Sequence, residues 1–485
     1  MLDIQELNKQ YIAGTWRDGE SARTLTDKNP YNGEVITEFK MATPDDIDEA
    51  YQAASKAMDE WNQINPYKQR DILERAVSYI EENEEDITSI IIDELGGTQL
   101  KAAFEIGLVK NMIKEAATFP LKKEGKILPS VEDGKENRLY RMPAGVVGVI
   151  SPFNFPFFLS VKSIAPAIGA GNGVVLKAHE ETPIVGGTLI AKIFEEAGIP
   201  KGLFNVVATD IREIGDSFVE HPVPRIISFT GSTTVGRHIA EVAVRNFKKP
   251  LLELGGNSAF IVLDDADIDY AVNAAAFSRF THQGQICMSA NRILVHQSVY
   301  DEFIEKYKNK IASLKTGDPR DPETVIGPVV NEGAANNLND LIEKGIKEGA
   351  TPLLRGNITG NMVEPTILTD VTPDMAVARE EMFGPVVSVM KFDTDEEAVQ
   401  IANDTNFGLS GAVHTSDGER GVQLAKRVRT GMIHVNDISI NDEPIVAFGG
   451  EKQSGLGRLN GEWSLEEFTT LKWISINYGQ RQFPY

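Results

Sequence analysis

The sequence contains almost no cysteine, and its apolar segments are short. Cys287 is the only cysteine among the 485 residues, which excludes an internal disulfide framework. No uninterrupted apolar run approaches the roughly 20 residues that span a bilayer. The start of the chain also lacks the basic and then apolar pattern of a secretory signal. We therefore expect a cytoplasmic protein with no membrane partner.

Basic residues are scarce relative to acidic ones. The 48 Lys and Arg residues stand against 71 Asp and Glu residues, which gives a formal net charge of −23. Such a charge repels phosphate backbones, so nucleic acid is not an expected partner. The acidic residues are spread along helices such as the one that contains Glu81 to Glu94, which is typical of solvated helix faces. No metal site is predicted.

Short apolar strands alternate with helices from Gly145 onward, and this pattern indicates a doubly wound parallel sheet. A second region of the same kind begins near Leu251 and runs to about Phe448. A hairpin precedes the first region at Tyr11 to Trp16. The predicted helices are Pro44 to Gln63, Tyr67 to Leu95, Leu100 to Phe119, Pro156 to Ile168, Ile184 to Ala197, Ile211 to Glu220 and Thr233 to Val244. The predicted strands are Gly145 to Ser151, Val174 to Lys177, Leu203 to Ala208, Arg225 to Thr230, Ala259 to Leu263, Arg292 to His296, Val386 to Met390 and Met432 to Val435.

Cys287 is a candidate nucleophile because it lies near a glycine and two side-chain amides in Thr281-His-Gln-Gly-Gln-Ile-Cys287. Taken alone, a free cysteine is more often an inert buried residue. Glu253 lies in an apolar strand just before a Gly-Gly break, where burial would raise its pKa and make it a useful base. A salt-bridged structural glutamate is the alternative.

The usual dinucleotide fingerprint, G-x-G-x-x-G, is absent after the first strand. Gly231 and Ser232 begin a helix whose backbone amides could hold a pyrophosphate, although a simple tight turn explains them equally well. Lys177 and Glu180 follow the second strand, where doubly wound folds place the residue that contacts the adenosine ribose. Solvated side chains at a strand end are the alternative there.

Six ordered motifs resemble those of the aldehyde dehydrogenase superfamily over nearly the whole chain. They are Pro152-Phe-Asn-Phe-Pro156, Phe229-Thr-Gly-Ser232, Glu253-Leu-Gly-Gly256, Gly284-Gln-Ile-Cys287, Glu381-Met-Phe-Gly-Pro385 and Phe448-Gly-Gly450. With Asn441-Asp-Glu-Pro444, the chain looks most like the bacterial benzaldehyde and vanillin dehydrogenases.

The resemblance implies an α/β fold with two doubly wound Rossmann-like domains and a small β oligomerisation element. Residues 1–120 and 142–252 would form the NAD-binding domain, and residues 253–448 the catalytic domain. Residues 121–141 and 464–485 would make a homodimer or homotetramer.

The resemblance also implies roles for individual residues. Cys287 would attack the aldehyde, Glu253 would act as base, and Asn154 would stabilise the oxyanion. The implied NAD contacts are Ser151, Pro152, Phe153, Lys177, Glu180, Phe229, Gly231, Ser232, Leu254, Gly255, Glu381 and Phe383. The implied pocket residues are Phe155, Phe158, Lys162, Ile286, Met288 and Phe448.

Several alternatives stay open at this stage. Lys162 could reach the substrate or lie on the surface, and the cofactor could be NADP, although Glu180 would repel a 2′-phosphate. The expected reaction is NAD-dependent oxidation of an aromatic aldehyde to the acid. An aliphatic aldehyde or semialdehyde dehydrogenase, a coenzyme A-acylating enzyme and a non-catalytic binding protein are the other readings.

Overall fold

The computed structural model describes residues 2–485, which form two large parallel sheets and one small antiparallel sheet. The strands of the first sheet, in spatial order, are Thr15–Arg17, Gln10–Ile12, Phe204–Val207, Val174–Lys177, Val147–Ile150, Ile226–Thr230, Lys249–Glu253 and Gly455–Leu456. Its five central strands are parallel, and antiparallel strands close both edges. Short strands buried on both faces account for this arrangement.

The second sheet has seven strands, of which only the first edge strand is antiparallel. In spatial order they are Thr351–Leu354, Thr366–Thr369, Val386–Phe392, Ala290–His296, Ser258–Val262, Gly411–His414 and His434–Val435. The two parallel sheets confirm the predicted fold class. The strand Lys249–Glu253 pairs within the first sheet, and the second sheet begins at Ser258, a few residues after the start predicted near Leu251.

A third sheet joins the strands Thr469–Asn477, Lys135–Pro143 and Lys126–Leu128 in antiparallel register. Thr469–Asn477 is an edge strand, and Leu471 and Trp473 on it are exposed. Two small hairpins complete the strands, Thr24–Lys28 with Val35–Lys40 and Ile358–Thr359 with Met362–Val363.

The helices cover the parallel sheets. Before the second sheet they are Ile4–Leu7, Pro44–Gln63, Pro66–Glu82, Glu84–Leu95, Gln99–Ala116, Phe119–Leu121, Pro156–Gly169, Ile184–Thr188, Leu189–Ala197, Ile211–Ile214, Ser217–Glu220 and Thr233–Arg245. After it begins they are Ile268–Phe280, Thr281–Gly284, Tyr300–Ala312, Glu332–Glu348, Ala376–Arg379, Asp395–Asn403, Gly418–Ala425 and Gly461–Glu467. Among residues 2–485 no helix combines the length and apolar character needed to cross a bilayer.

Two helices predicted as continuous are broken, so those predictions are wrong. The segment from Tyr67 to Leu95 divides at Asn83, whose side chain donates to the carbonyl of Tyr79 and ends the first helix. The segment from Ile211 to Glu220 divides at Gly215, which takes a positive φ of 50°. A side-chain bond to the last turn and a left-handed glycine both stop helix propagation.

Candidate active site

Cys287 lies in a loop with an unusual backbone, between the turn Thr281–Gly284 and the strand Ala290–His296. His282 and Gln283 have positive φ angles of 50° and 53°, and Gly284 follows at 72°. Left-handed backbone at a non-glycine residue costs about 1 to 3 kcal/mol, so the surrounding structure must hold it. A Cβ on Gly284 would lie 2.4 Å from the carbonyl oxygen of Gly384, which shows how closely the loop packs against the segment that follows Glu381.

The two side-chain amides near Cys287 in sequence hold this loop and do not contact the thiol. Gln283 Nε2 donates to the carbonyl of Pro328 at 2.7 Å, and its Oε1 accepts from Gly327 N at 3.2 Å. Gln285 Oε1 accepts from Val330 N at 3.0 Å. The amides therefore fix the backbone that presents Cys287.

Asn154 lies beside the thiol loop and is buried. Its Nδ2 donates to the carbonyl of Gln285 at 2.9 Å, and Asn154 and Cys287 line the same pocket. An amide nitrogen carries two hydrogens, and this bond uses one of them. Asn154 can therefore donate a second hydrogen bond while its side chain is held in place.

Glu253 ends the strand Lys249–Glu253, and the Gly-Gly break after it brings the chain against Cys287. A Cβ on Gly256 would lie 2.1 Å from the carbonyl oxygen of Cys287, so only glycine fits there. Within residues 2–485, Glu253 Oε2 is buried and has no hydrogen-bond partner. Burial raises the pKa of Glu253 to about 8. Its carboxyl therefore titrates where a general base is useful.

The environment of Cys287 keeps its thiol protonated. Burial is the largest cause, and the negative charges of Glu381 and Glu253 add to it, which together raise the pKa of Cys287 to about 12. An ordinary thiol has a pKa of about 8.5. The resting form at neutral pH is thus a thiol, and it needs both a base and a nearby cation to become nucleophilic.

Glu381 and Phe383 lie next to the Gly-Gly break. Glu381 Oε1 accepts from Gly256 N at 2.8 Å, and a Cβ on Gly255 would lie 2.4 Å from Glu381 Oε2. Burial raises the pKa of Glu381 to about 7. The ring of Phe383 packs edge-on against Phe153, with their centroids 5.7 Å apart. These contacts bring Phe153, Gly255, Glu381 and Phe383 together.

Buried Arg279 holds the segment that carries Glu381 and Phe383. Its guanidinium donates to the carbonyls of Met382 and Gly384, and to the side chains of Ser289 and Asn291 on the other side of Cys287. It therefore connects the thiol loop to the Glu381 segment. Arg279 was missed in the sequence because the carbonyls it binds on the Glu381 segment lie 103 and 105 residues away.

The remaining predicted cofactor residues lie at the carboxyl ends of the first sheet. Ser232 caps the helix Thr233–Arg245 by accepting from Val235 N at 3.4 Å, and Leu254 packs against Gly236 of that helix. Phe229 is buried, and its ring fills the space beside Gly231. These contacts leave the exposed helix start free for a ligand.

Lys177 ends the strand Val174–Lys177 of the first sheet, and Glu180 follows it. Lys177 is buried, which lowers its pKa, while the charges of Glu180 and Asp210 oppose that change. Glu180 itself is exposed. Ser151 and Pro152 are buried, and the hydroxyl of Ser151 accepts from Ser160 Oγ at 2.7 Å, so it faces the protein interior.

The pocket above Cys287 is apolar except at one end. Its lining residues are Phe104, Leu108, Asn154, Phe155, Phe158, Leu159, Ile286, Cys287, Met288, Ile440, Asp442 and Phe448. Five of the six predicted pocket residues are among them. The other, Lys162, is 1% exposed, so the surface alternative is wrong. Its Nζ lies 2.5 Å from Asp442 Oδ2 and 3.2 Å from the centroid of the Phe448 ring.

Sequence reasoning missed Phe104, Leu108 and Asp442. Phe104 and Leu108 belong to the helix Gln99–Ala116, where apolar residues at helical spacing look like ordinary core. Asp442 was part of the motif Asn441-Asp-Glu-Pro444 that contributed to the resemblance. The membership of Asp442 in this motif was the available signal, although Glu443 beside it offers the same chemistry.

The fold has two Rossmann-like domains, and the comparisons with known proteins define the chain as an oxidoreductase of this fold class. The model of the aldehyde dehydrogenase family matches residues 16–474. The chain belongs to the aldehyde dehydrogenase family.

Individual relatives have narrower descriptions than the family as a whole. The chain is 70% identical to a benzaldehyde dehydrogenase of Bacillus subtilis over 485 residues, 100% of both chains. It is 50% identical to a vanillin dehydrogenase of Corynebacterium glutamicum, over 97% of this chain and 98% of that protein. The crystal structure of a NAD-dependent benzaldehyde dehydrogenase from Corynebacterium glutamicum matches with a TM-score of 0.90 and 46% identity, over 98% of this chain and 99% of that one.

Proposed function

We propose that this protein oxidises aromatic aldehydes to carboxylic acids with NAD. The observation that carries the proposal is an apolar pocket lined by Cys287, Asn154, Phe155 and Phe158, with the charge of Glu253 acting on the Cys287 thiol. An aromatic ring suits such walls, since rings pack edge-on or offset against one another. The similarity to benzaldehyde and vanillin dehydrogenases supports the same substrate class.

The chemistry begins with the thiol. Glu253 accepts the proton of Cys287, and the thiolate sulfur attacks the aldehyde carbon to form a hemithioacetal. The second amide hydrogen of Asn154 stabilises the charge that develops on the aldehyde oxygen. Because the pKa of Cys287 is raised to about 12, proton transfer to Glu253 is unfavourable until a cation lies near the sulfur.

The residues around the cleft fit NAD. Ser232 and Gly231 begin a helix whose free amides suit a pyrophosphate, and Phe153, Glu381 and Phe383 surround the Gly-Gly break beside Cys287. When bound, NAD supplies a positively charged ring that accepts the hydride. Exposed Glu180 favours NAD, because its negative charge would repel the 2′-phosphate of NADP. A cation that offset this charge, such as Arg212, would allow NADP to bind.

Loss of the hydride from the hemithioacetal carbon, as the oxyanion becomes a carbonyl, leaves the acyl group on Cys287 as a thioester, which water then hydrolyses. Glu253, which has passed the thiol proton to solvent, takes a proton from the attacking water as the thioester carbon is attacked, and the cysteine sulfur leaves. A coenzyme A-acylating enzyme would not need a base for this step. The buried carboxyl with a pKa of about 8 therefore favours hydrolysis over transfer to coenzyme A.

Incubation with NAD and benzaldehyde tests the proposal. We expect NADH and benzoate to form without coenzyme A, and more efficiently than the corresponding products from hexanal or succinate semialdehyde. Strict dependence on coenzyme A would establish the acylating alternative. Higher kcat/KM for the aliphatic aldehydes would refute the aromatic preference, and cofactor binding without turnover would indicate a non-catalytic protein.

We further propose that residues 1–120 and 142–252 form the NAD-binding domain and residues 253–448 the catalytic domain. Residues 121–141 and 464–485 would assemble a homodimer or homotetramer in the cytoplasm. The exposed edge strand Thr469–Asn477, with Leu471 61% and Trp473 65% exposed, supports the assembly. Light scattering should give two or four chains, and a monomer would refute it. The single cysteine suits a reducing compartment.

A further inference from the structure

Lys162 is an unusual residue at its position. It is the only charged residue of the helix Pro156–Gly169, and every residue of that helix is buried. Its ammonium contacts the rings of Phe448 and Phe158, whose centroids lie 3.2 Å and 5.4 Å away. A buried cation is costly, and replacing a buried ion pair by apolar residues is often neutral or stabilising. Packing alone therefore does not explain Lys162.

Asp442 pairs with this lysine, and other residues hold Asp442 in place. Asp442 Oδ2 lies 2.5 Å from Lys162 Nζ, and its Oδ1 accepts from Asn460 Nδ2 at 2.8 Å. Asn460 Nδ2 also donates to the carbonyl of Glu443 at 2.8 Å, which fixes the amide in turn. The pair lies at the wall of the pocket that contains Cys287, because Asp442, Phe158 and Phe448 line that pocket.

The carboxyl that this pair can influence is Glu253. In the described residues Glu253 Oε2 is buried with no hydrogen-bond partner, so its charge is stabilised only through space. The charged groups that act on it are Lys162 from the helix, Asp442 from the loop before Phe448 and Arg458 from the segment after Gly455. Cys287 is a further titratable group near Glu253, because the charge of Glu253 acts on its thiol.

We propose that Lys162 and Asp442 are positioning residues for the reaction, a fixed charge pair that sets the ionisation of Glu253 within an apolar pocket. The proposal rests on the proposed function of Glu253 as the base. Lys162 favours the carboxylate form of Glu253, and Asp442 opposes it. The two charges act on the base in opposite directions, and Asp442 compensates the lysine charge at the pocket wall, where the ammonium lies against the Phe448 and Phe158 rings.

The signs of the two effects are opposite, which separates this proposal from a purely structural role. Lys162→Met removes the favourable charge, so Glu253 should ionise at higher pH. Asp442→Asn keeps the size of the side chain and removes the opposing charge, so Glu253 should ionise at lower pH. Damage to the fold would lower activity in both variants without moving their pH profiles in opposite directions.

The test measures how fast the acyl adduct on Cys287 decays as a function of pH. The enzyme is mixed with benzaldehyde and NAD, quenched and analysed by intact mass, from about pH 6 to pH 10, a range that brackets the ionisation of the base. We expect the acid limb of the decay rate to move up by about one pH unit in Lys162→Met and down in Asp442→Asn, as nearby charges commonly do. Lys162→Arg should return the limb toward its original position.

Lys306→Met is the matched control, because Lys306 pairs with Asp269 and Glu302 on the protein surface. Unmoved limbs in both pocket variants, or limbs that move in the same direction, would overturn the proposal. If Lys162→Met does not fold, Asp442→Asn alone decides by the direction of its shift. Absence of NADH and benzoate formation by the unmodified enzyme would instead refute the proposed function, so the two failures are distinguishable.

Discussion

The substitution Glu253→Gln should stabilise the protein at alkaline pH while it slows catalysis. Folding holds the pKa of Glu253 at about 8, against an ordinary value of 4.5, mainly because burial disfavours the carboxylate. The folded chain therefore binds a proton that the unfolded chain releases between these two pH values. The contribution of the Glu253 carboxyl to the free energy of unfolding is fully present below pH 4.5 and is lost as the pH rises toward 8.

The magnitude follows from that difference, which corresponds to about 5 kcal/mol of destabilisation above pH 8. Glutamine has nearly the same shape and carries no charge, so the variant avoids this loss. Between pH 5 and pH 9 the free energy of unfolding of the variant, relative to that of the unmodified protein, should rise by about 4 kcal/mol. For a chain of this length that is a rise of about 4 °C in relative melting temperature, or more where one domain unfolds alone.

Scanning fluorimetry of both proteins across this pH range measures the difference. Glu305→Gln, on an exposed position of the helix Tyr300–Ala312, is the matched control and should not develop a pH-dependent gap. A constant difference between Glu253→Gln and the unmodified protein at all pH values would refute the reasoning, since it would mean that folding does not perturb this carboxyl.

Further predictions concern the site. Cys287→Ala should abolish NADH formation, because no other thiol exists in the chain, while NAD binding measured by calorimetry persists; retained turnover would contradict the role of Cys287. Glu253→Gln should also accumulate an acyl adduct on Cys287 that is visible by intact mass, since deacylation loses its base; rapid turnover without adduct would contradict this role. Phe383→Ala should raise the KM for NAD several-fold because it removes a ring that packs edge-on against Phe153, whereas Phe247→Ala, at an exposed position, is its control; equal effects would argue against a specific contact. Glu180→Gln should increase kcat/KM with NADP by about tenfold, the effect of about 1.4 kcal/mol of relieved repulsion; an unchanged ratio of NADP to NAD activity would refute the charge argument.

The fold and several residues of the candidate site could be predicted from the sequence because their signals are local. Short apolar strands gave the two sheets, and contiguous motifs contained Glu253, Cys287 and Glu381. The breaks at Asn83 and Gly215 were missed because a side-chain bond or a single positive φ decided them, while the helical pattern continued on both sides.

Other features of the site depend on distant parts of the chain, and no local pattern reports them. Lys162 meets Asp442 across 280 residues, and Glu94 holds the start of the turn Ile184–Thr188 by accepting from Ile184 N and Val185 N. A lysine in an apolar helix reads equally well as a surface residue until the burial of its neighbours is known. The left-handed backbone of His282 and Gln283 likewise depends on a distant segment, because the side chain of Gln283 donates to the carbonyl of Pro328.

Burial beside the apolar pocket affects the Cys287 thiol and the Glu253 carboxyl in the same way, because it raises the pKa of each. Walls that suit an aromatic ring also exclude water, and this raises the pKa of Cys287 to about 12 and that of Glu253 to about 8. Lys162 lowers both, because it is the one cation that acts on each of them. A more apolar pocket would hold an aromatic substrate better but would move catalysis to higher pH. Lys162, compensated by Asp442, therefore limits how far the apolar walls raise these two pKa values.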